Sequence, residues 1–332
     1  MSCYHPLKGF VVGFTKDMKA KLRVLPYEVN FIDKYGVPVT VGVSPGPEDT
    51  TEYYELPCGH CIGCRQAQSK EWANRLMMEM QYHDSAYFCT LTYDNDHIHI
   101  AYDEETGLAT GLFTLCKRDV QLFIKLLRRH FPNDKIRYYL AGEYGDTTAR
   151  PHYHAIIFGL HLNDLVKCGR SETGNQYFTS ESFGACWPHG FVSVEPANYA
   201  TCKYVSSYVT KKLGIRPNEF YEDQGIVPPF SLCSRKPGIG FQYYADHPDL
   251  FEYDKIVLST PTGSISFEPP RYFKKKYKEA DLDKYQERAD RKMAAAEDRK
   301  ELILDNTHLS YLDYLQVLEN NHNERVKSRN KI

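Results

Sequence analysis

The sequence predicts an α+β fold: a central antiparallel sheet with helices packed on one face, and irregular extensions at both ends. Three observations predict it. Candidate elements run strand, helix, strand, strand, strand, helix between residues 86 and 213, and two of the strands are close enough in sequence to form a hairpin. The 332 residues also contain no internal repeat and no low-complexity linker that would mark off a second independent domain. The expected divisions are an N-terminal extension with a cysteine cluster over 1–64, a main domain over 65–240, and a basic, helical extension over 241–332.

Residues 1–57 mix short β-branched runs such as 37-VPVTVGV-43 with proline, glycine and an acidic loop at Glu48, Asp49, Glu52 and Glu55, and read as an irregular β-rich segment. Ala73, Leu76, Met77 and Met80 recur at i, i+3, i+4 and i+7, predicting an amphipathic helix over about 65–82 whose apolar stripe belongs to a core. The aromatic and β-branched run 86-AYFCTLTY-93 reads as a buried strand. In 115-LCKRDVQLFIKLLRRH-130, Val120, Phe123, Ile124 and Leu127 share one helix face; Pro132 sets the end, and Arg128, Arg129 and His130 complement the helix dipole in the last turn. Two strands, 135-KIRYYLAGE-143 and 152-HYHAIIF-158, flank a glycine-containing loop. Strand 190-GFVSVEP-196 then leads into a helix over about 199–213, with Asn198 as N-cap. Beyond 214 the pattern weakens into a loop-rich stretch, a basic run 271-RYFKKKYK-278 and charged helical segments.

Lys and Arg number 41 against 43 Asp and Glu, a formal net charge of −2, which excludes the uniformly basic surface of a non-specific DNA-coating protein. Any contact with nucleic acid has to use local patches. The chain opens without a secretory signal pattern, and no apolar run approaches the ~18 residues of a membrane span, so a soluble, intracellular protein is expected. Three of the ten cysteines crowd together as Cys58, Cys61 and Cys64, a spacing that suits a metal better than paired disulfides. Tetrahedral zinc needs a fourth ligand, for which Cys3 is the choice and His5 or His60 the alternatives. A site closed by Cys3 ties the N-terminal extension to the main domain. Iron–sulfur ligation is the weaker reading, because no redox-partner motif accompanies the cysteines, and clustered free thiols remain the bland one.

Two further groupings carry chemistry. Alternate strand residues share a face, so His152 and His154 emerge together within reach of one ion, and a carboxylate would complete a three-ligand site with open positions. Glu143, at the end of the preceding strand, is the expected third ligand, with Asp146 as a substitute. In 204-YVSSYVTKK-212, Tyr204 and Tyr208 lie one helical turn apart on one face, and Lys211 and Lys212 follow three and four residues beyond Tyr208. Such tyrosines can form covalent intermediates beside phosphate-stabilising lysines. Taken separately, the histidines and the tyrosines read equally well as satisfied structural residues.

Together these segments resemble a known set. An FxTLTY strand (88-FCTLTY-93), a His-hydrophobic-His strand (151-PHYHAIIFG-159) and a YxxxYxxKK helix occur in the order of the three motifs of the HUH endonuclease superfamily. Within it the chain is most similar to the replication initiators of microviruses, the gokushovirus type among them, and the resemblance covers about residues 55–240. It implies an HUH endonuclease domain in which His152, His154 and Glu143 hold the metal and Tyr204 and Tyr208 are paired nucleophiles, with Lys211 and Lys212 nearby. It also implies a metal-dependent nick in single-stranded origin DNA, a 5′-phosphotyrosine, religation of circles after rolling-circle synthesis, and residence in the cytoplasm of a bacterial host. Phosphoryl transfer favours a hard ion, Mg²⁺ or Mn²⁺. No G-x-x-x-x-G-K-[ST] loop occurs, so a host helicase and a host DNA polymerase are implied as partners.

The C-terminal half adds two softer candidates for DNA binding. Arg235 and Lys236 lie in 234-SRKPGIG-240, where glycines let backbone approach phosphate. Lys274, Lys275 and Lys276 are interleaved with Tyr272, Phe273 and Tyr277, a pattern that suits single strands through charge and stacking. Two other classes stay open: a transposase or plasmid relaxase with the same chemistry, and a non-enzymatic zinc-containing nucleic-acid-binding protein.

Overall fold

The computed structural model describes residues 3–16, 19–40, 42–103, 105–170, 176–212, 218–260 and 263–329. The first part of the chain forms β1 (Leu7–Phe14), β2 (Ala20–Pro26), β3 (Phe31–Ile32), β4 (Pro38–Val39) and β5 (Tyr53–Leu56). There follow α1 (Ile62–Met80), β6 (Ala86–Tyr93), β7 (Ile100–Tyr102), β8 (Ala109–Phe113), α2 (Lys117–His130), β9 (Arg137–Tyr144) and β10 (Pro151–Phe158). Next come β11 (Val166–Arg170), β12 (Gln176–Thr179), α3 (Glu181–Gly184), β13 (Gly190–Pro196) and α4 (Tyr199–Lys212). The chain continues through α5 (Asn218–Asp223), β14 (Phe230–Cys233), α6 (Phe241–Asp246), β15 (Ile256–Thr260), β16 (Gly263–Phe267), α7 (Arg271–Ala280), α8 (Leu282–Asp305) and α9 (Tyr311–Arg329). Two compact units result: Gln68–Glu287, and Met1–Ala67 together with Arg288–Ile332.

The larger unit is built on a seven-stranded antiparallel sheet of order β11-β12-β13-β6-β10-β9-β14. Strand β10 explains its layering. Its residues Tyr153, Ala155 and Ile157 point to one side and Ile156 and Phe158 to the other, and all are fully buried, so both faces need cover. Helices therefore pack on both faces rather than on the one face that the sequence predicts. On one, Val120, Phe123, Ile124 and Leu127 of α2 meet Leu91, Leu140, Tyr153 and Ile157. On the other, Leu76 and Met77 of α1 and Cys202 and Val205 of α4 meet Phe88, Tyr139, Ile156 and Phe158. Each such side chain stabilises the fold by roughly 1.5–3 kcal/mol relative to exposure.

Polar contacts fix the ends of these elements. Asn198 Oδ1 accepts from the Thr201 amide (3.0 Å) while Thr201 Oγ1 accepts from the Asn198 amide (2.8 Å), a reciprocal cap at the start of α4. Buried Glu79, near the end of α1, accepts from Arg137 of β9 and from the Gly240 amide (2.6 Å), and Arg75 donates to the Ile239 carbonyl (3.0 Å). The 234–240 loop is thereby locked as a turn.

In the smaller unit the N-terminal segment is more regular than expected, with a three-stranded antiparallel sheet β2-β1-β5 over a core of Phe10, Val29 and Ile32. Of the run 37–43 only Pro38–Val39 is strand, paired with Phe31–Ile32, and Val41 lies outside the described residues. The C-terminal helices belong to this unit: Lys300 Nζ donates to Tyr27 Oη (3.0 Å), and Tyr311 Oη donates to Glu55 Oε1 (3.0 Å). Among the described residues no helix is long and apolar enough to cross a membrane.

Candidate active site

Register does most of the positioning. β9 and β10 pair so that Glu143 stands opposite His152 and Ala141 opposite His154, and β6 places Thr90 opposite His154 on its other side. Residues opposite each other share a face. His152 and His154 therefore emerge beside Glu143 and Thr90, on the face that α4 covers.

The ligand atoms of Glu143, His152 and His154 all lie within 4.8 Å of one another. His152 Nδ1 lies 3.1 Å from the Arg150 carbonyl, which can only accept, so that nitrogen carries a proton and Nε2 is left to face Glu143 Oε1 at 2.8 Å. His154 Nδ1 meets Thr90 Oγ1 at 3.0 Å, and its Nε2 lies 3.4 Å from the same Glu143 oxygen. That Nε2 is buried without a hydrogen-bond partner, in a molecule whose other described buried side-chain N and O atoms have one. Burial raises the Glu143 carboxyl, but hydrogen bonds from His152 and His154 outweigh it and hold the group below its ordinary value. Burial lowers His154, keeping it neutral as a ligand must be. An orphaned imidazole nitrogen, a second imidazole and an ionised carboxylate converging on one point fit a divalent cation. Asp146 is exposed in the turn after β9 and is not part of this group.

α4 brings the two tyrosines to the same place. His154 stacks on Tyr208 with ring centroids 4.9 Å apart, and meets Tyr204 edge-on at 5.3 Å. The tyrosine rings themselves are 4.5 Å apart and their hydroxyls share a hydrogen bond. They differ in access: Tyr204 is 44% exposed and Tyr208 only 7%. Burial raises both phenols, Tyr208 by far the more, since its hydrogen bond to Tyr204 adds to burial while the same bond lowers Tyr204. The side chains of Lys211 and Lys212 lie outside the described residues.

Two contributors escape a reading of the sequence. Thr90 and Phe88, the latter stacked on His154 at 5.4 Å, hold the imidazole from β6. Their signal is the alternation in 88-FCTLTY-93, which puts both on the histidine face.

The remaining candidates lie elsewhere. Arg235 and Lys236 line a groove of about 950 Å³ with Arg128, Lys135 and Arg137. That groove sits at the Arg137 end of β9, roughly 20 Å along the strand from Glu143. On α7, Lys274 pairs with Glu268 (3.2 Å) and Lys276 with Glu279 (2.8 Å), while Lys275 is exposed. The aromatic residues between them turn inward: Phe273 is fully buried and Tyr277 stacks on Phe251 at 4.1 Å, so the core takes up the rings that base stacking would need. His99, Cys116 and Asp119 also cluster, but Asp119 is already satisfied by His99 (2.6 Å) and by the Tyr93 hydroxyl (2.7 Å).

Residues 86–213, which contain every member of this site, match a family model described as the replication-associated protein ORF2 family. The chain belongs to this family of replication-associated proteins. It is 30% identical over 282 residues to the replication-associated protein ORF2 of Spiroplasma virus 4, covering 82% of this chain and 83% of that protein. The replication-associated protein VP4 of Bdellovibrio phage phiMH2K is 31% identical over 235 residues, covering 70% of this chain and 71% of that one. The replication-associated protein ORF4 of Chlamydia phage 1 is 32% identical over 229 residues, 67% of this chain and 53% of its own length. No solved structure matches the chain.

Proposed function

We propose that this protein initiates rolling-circle replication by nicking single-stranded origin DNA with Tyr204 and holding the cut 5′ end as a phosphotyrosine, with Tyr208 as second nucleophile. The observation that carries this reading is the His154 ring, which touches both tyrosine rings and leaves its unbonded Nε2 beside Glu143. A purely structural histidine does not account for that buried, unpartnered nitrogen. Glu143, His152 and His154 would hold Mg²⁺ or Mn²⁺, which when bound supplies a Lewis acid for a phosphate oxygen of the scissile bond.

The chain's own groups do the rest. Tyr204, the more exposed phenol, makes the first attack: its Oη bonds to phosphorus, the bond to the 3′ oxygen breaks, the phenol loses its proton and the leaving oxygen gains one. One phosphodiester replaces another, so the bond is conserved for religation. The 3′ hydroxyl primes a host polymerase, and a host helicase opens the duplex. After one circuit Tyr208 cuts the regenerated junction, and the released 3′ hydroxyl attacks the first phosphotyrosine to close the circle. Lys211 and Lys212 neutralise the phosphate, and the Arg235 and Lys236 groove takes backbone phosphates farther along the strand.

Phenylalanine variants test this by adduct formation on denaturing gels and by circle release. Tyr208→Phe is expected to nick once but release no circles, Tyr204→Phe to lose most of the first nick, and the double variant to form no adduct. An adduct in the double variant would place the nucleophile elsewhere, and normal circle release by either single variant would exclude alternation.

A further inference from the structure

We propose that Cys3, Cys58, Cys61 and Cys64 hold one structural zinc ion, and that the clasp so formed anchors helix α9 to the N-terminus, independently of the nicking site. The four sulfurs come from the first residues of the chain and from the start of α1, and all lie within 4.8 Å of one another. Cys3 and Cys61 are 4.0 Å apart, as are Cys58 and Cys64. A tetrahedron with metal–sulfur bonds of about 2.3 Å has edges of about 3.8 Å, so these spacings are those of one mononuclear site. They are about twice the ~2.05 Å of a disulfide bond, and too tight for thiolates spread over the several atoms of an iron–sulfur cluster.

The backbone is arranged for anionic sulfur. Amides of Tyr4 and Cys64 point at Cys61 Sγ (3.4 Å each), that of Cys61 at Cys58 Sγ (3.3 Å) and that of Cys58 at Cys3 Sγ (3.3 Å). The turn from Cys58 to Cys61 requires a left-handed residue, supplied by Gly59 at φ 86°. Four converging thiolates repel one another unless a cation sits among them. The histidine alternatives are taken or apart: His5 Nε2 pairs with Glu319 at 2.7 Å, and His60 is not among the grouped ligands.

Around the cluster, α9 is held at three points. Tyr4 Oη meets His322 Nδ1 at 2.8 Å, Gln66 Nε2 meets His322 Nε2 at 2.8 Å, and His5 meets Glu319. Two of these residues adjoin or follow Cys3 and the third lies two positions after Cys64, so the ion orders the surface on which α9 rests.

The test uses the full-length chain carrying His152→Ala and His154→Ala, which removes the other candidate metal site. Elemental analysis is expected to find one zinc per chain, and Co²⁺ exchange to give the intense absorption of tetrahedral cobalt thiolate. Cys3→Ser and Cys58→Ser should each lose the zinc and open 311–329 to trypsin, while Cys168→Ser, an exposed cysteine outside the cluster, changes neither. Should a cysteine variant fail to fold, zinc release from the parent by a mercurial, followed by trypsin, reads the same coupling. No zinc in the histidine-free protein, iron in its place, full zinc in Cys58→Ser, or an α9 equally resistant after zinc release would each overturn the proposal.

Discussion

His154 uses both ring nitrogens, and the partner of one decides what the other can do. With Thr90 Oγ1 at 3.0 Å from Nδ1, the ring is held with Nε2 toward Glu143. Thr90→Val keeps the shape of the side chain and removes that contact. It is expected to lower nicking about 10- to 100-fold, with part of the loss recovered at higher Mn²⁺ and by Thr90→Ser. A loss that no concentration of Mn²⁺ relieves would mean that Thr90 serves only the strand. At this scale the sequence is partly legible. The i, i+2 histidines and the i, i+4 tyrosines follow from periodicity alone, but Thr90 on an apolar strand reads merely as a good strand former. The difference in access between Tyr204 and Tyr208 is not legible either, because it depends on where α4 crosses the sheet.

Elements are most legible where apolar periodicity runs uninterrupted. The helices over 117–130 and 199–212 and the strands over 137–144, 151–158 and 190–196 all fall within a residue or two of their expected bounds. The second covered face of the sheet escapes the sequence because its polar members, Thr90, His152, His154 and Glu143, break the apolar pattern at the site end. β2 is obscure for the opposite reason: nearly all its residues are exposed, so it carries no alternation. Glu79 links three of these elements and makes the fold acid-sensitive. Burial alone would raise its carboxyl, but His83, the Gly240 amide and Arg137 hold it below its ordinary 4.5. A carboxyl lowered on folding stabilises the protein above its unfolded value, and that contribution is lost as pH falls through the folded value. Glu79→Gln is therefore expected to cost on the order of 3 kcal/mol near neutral pH and to flatten the fall in stability below about pH 4.5. Denaturant titrations of both proteins across that range measure it; parallel curves would show that Glu79 does not carry the linkage.

Across the whole molecule the two kinds of candidate metal ligand fall in different units. The cysteines belong to the unit formed by Met1–Ala67 and Arg288–Ile332, and the Glu143, His152 and His154 group to Gln68–Glu287. Hard-ion catalysis and a thiolate clasp thus need not compete for one metal, and zinc chelation that spares Mn²⁺ is expected to destabilise the first unit before it stops nicking. The joining of chain ends in one unit is invisible in the sequence, since contacts between residues 4 and 322 leave no local pattern. The central claim concerns one covalent bond. Incubating the protein with single-stranded origin DNA and Mn²⁺, digesting with nuclease and trypsin, and locating the nucleotide-bearing peptide by mass spectrometry tests it most directly. The expected result is a phosphodiester on the peptide Tyr204–Lys211, at Tyr204 after a single nick; an adduct on any residue other than Tyr204 or Tyr208, or cleavage with no adduct at all, would contradict the account.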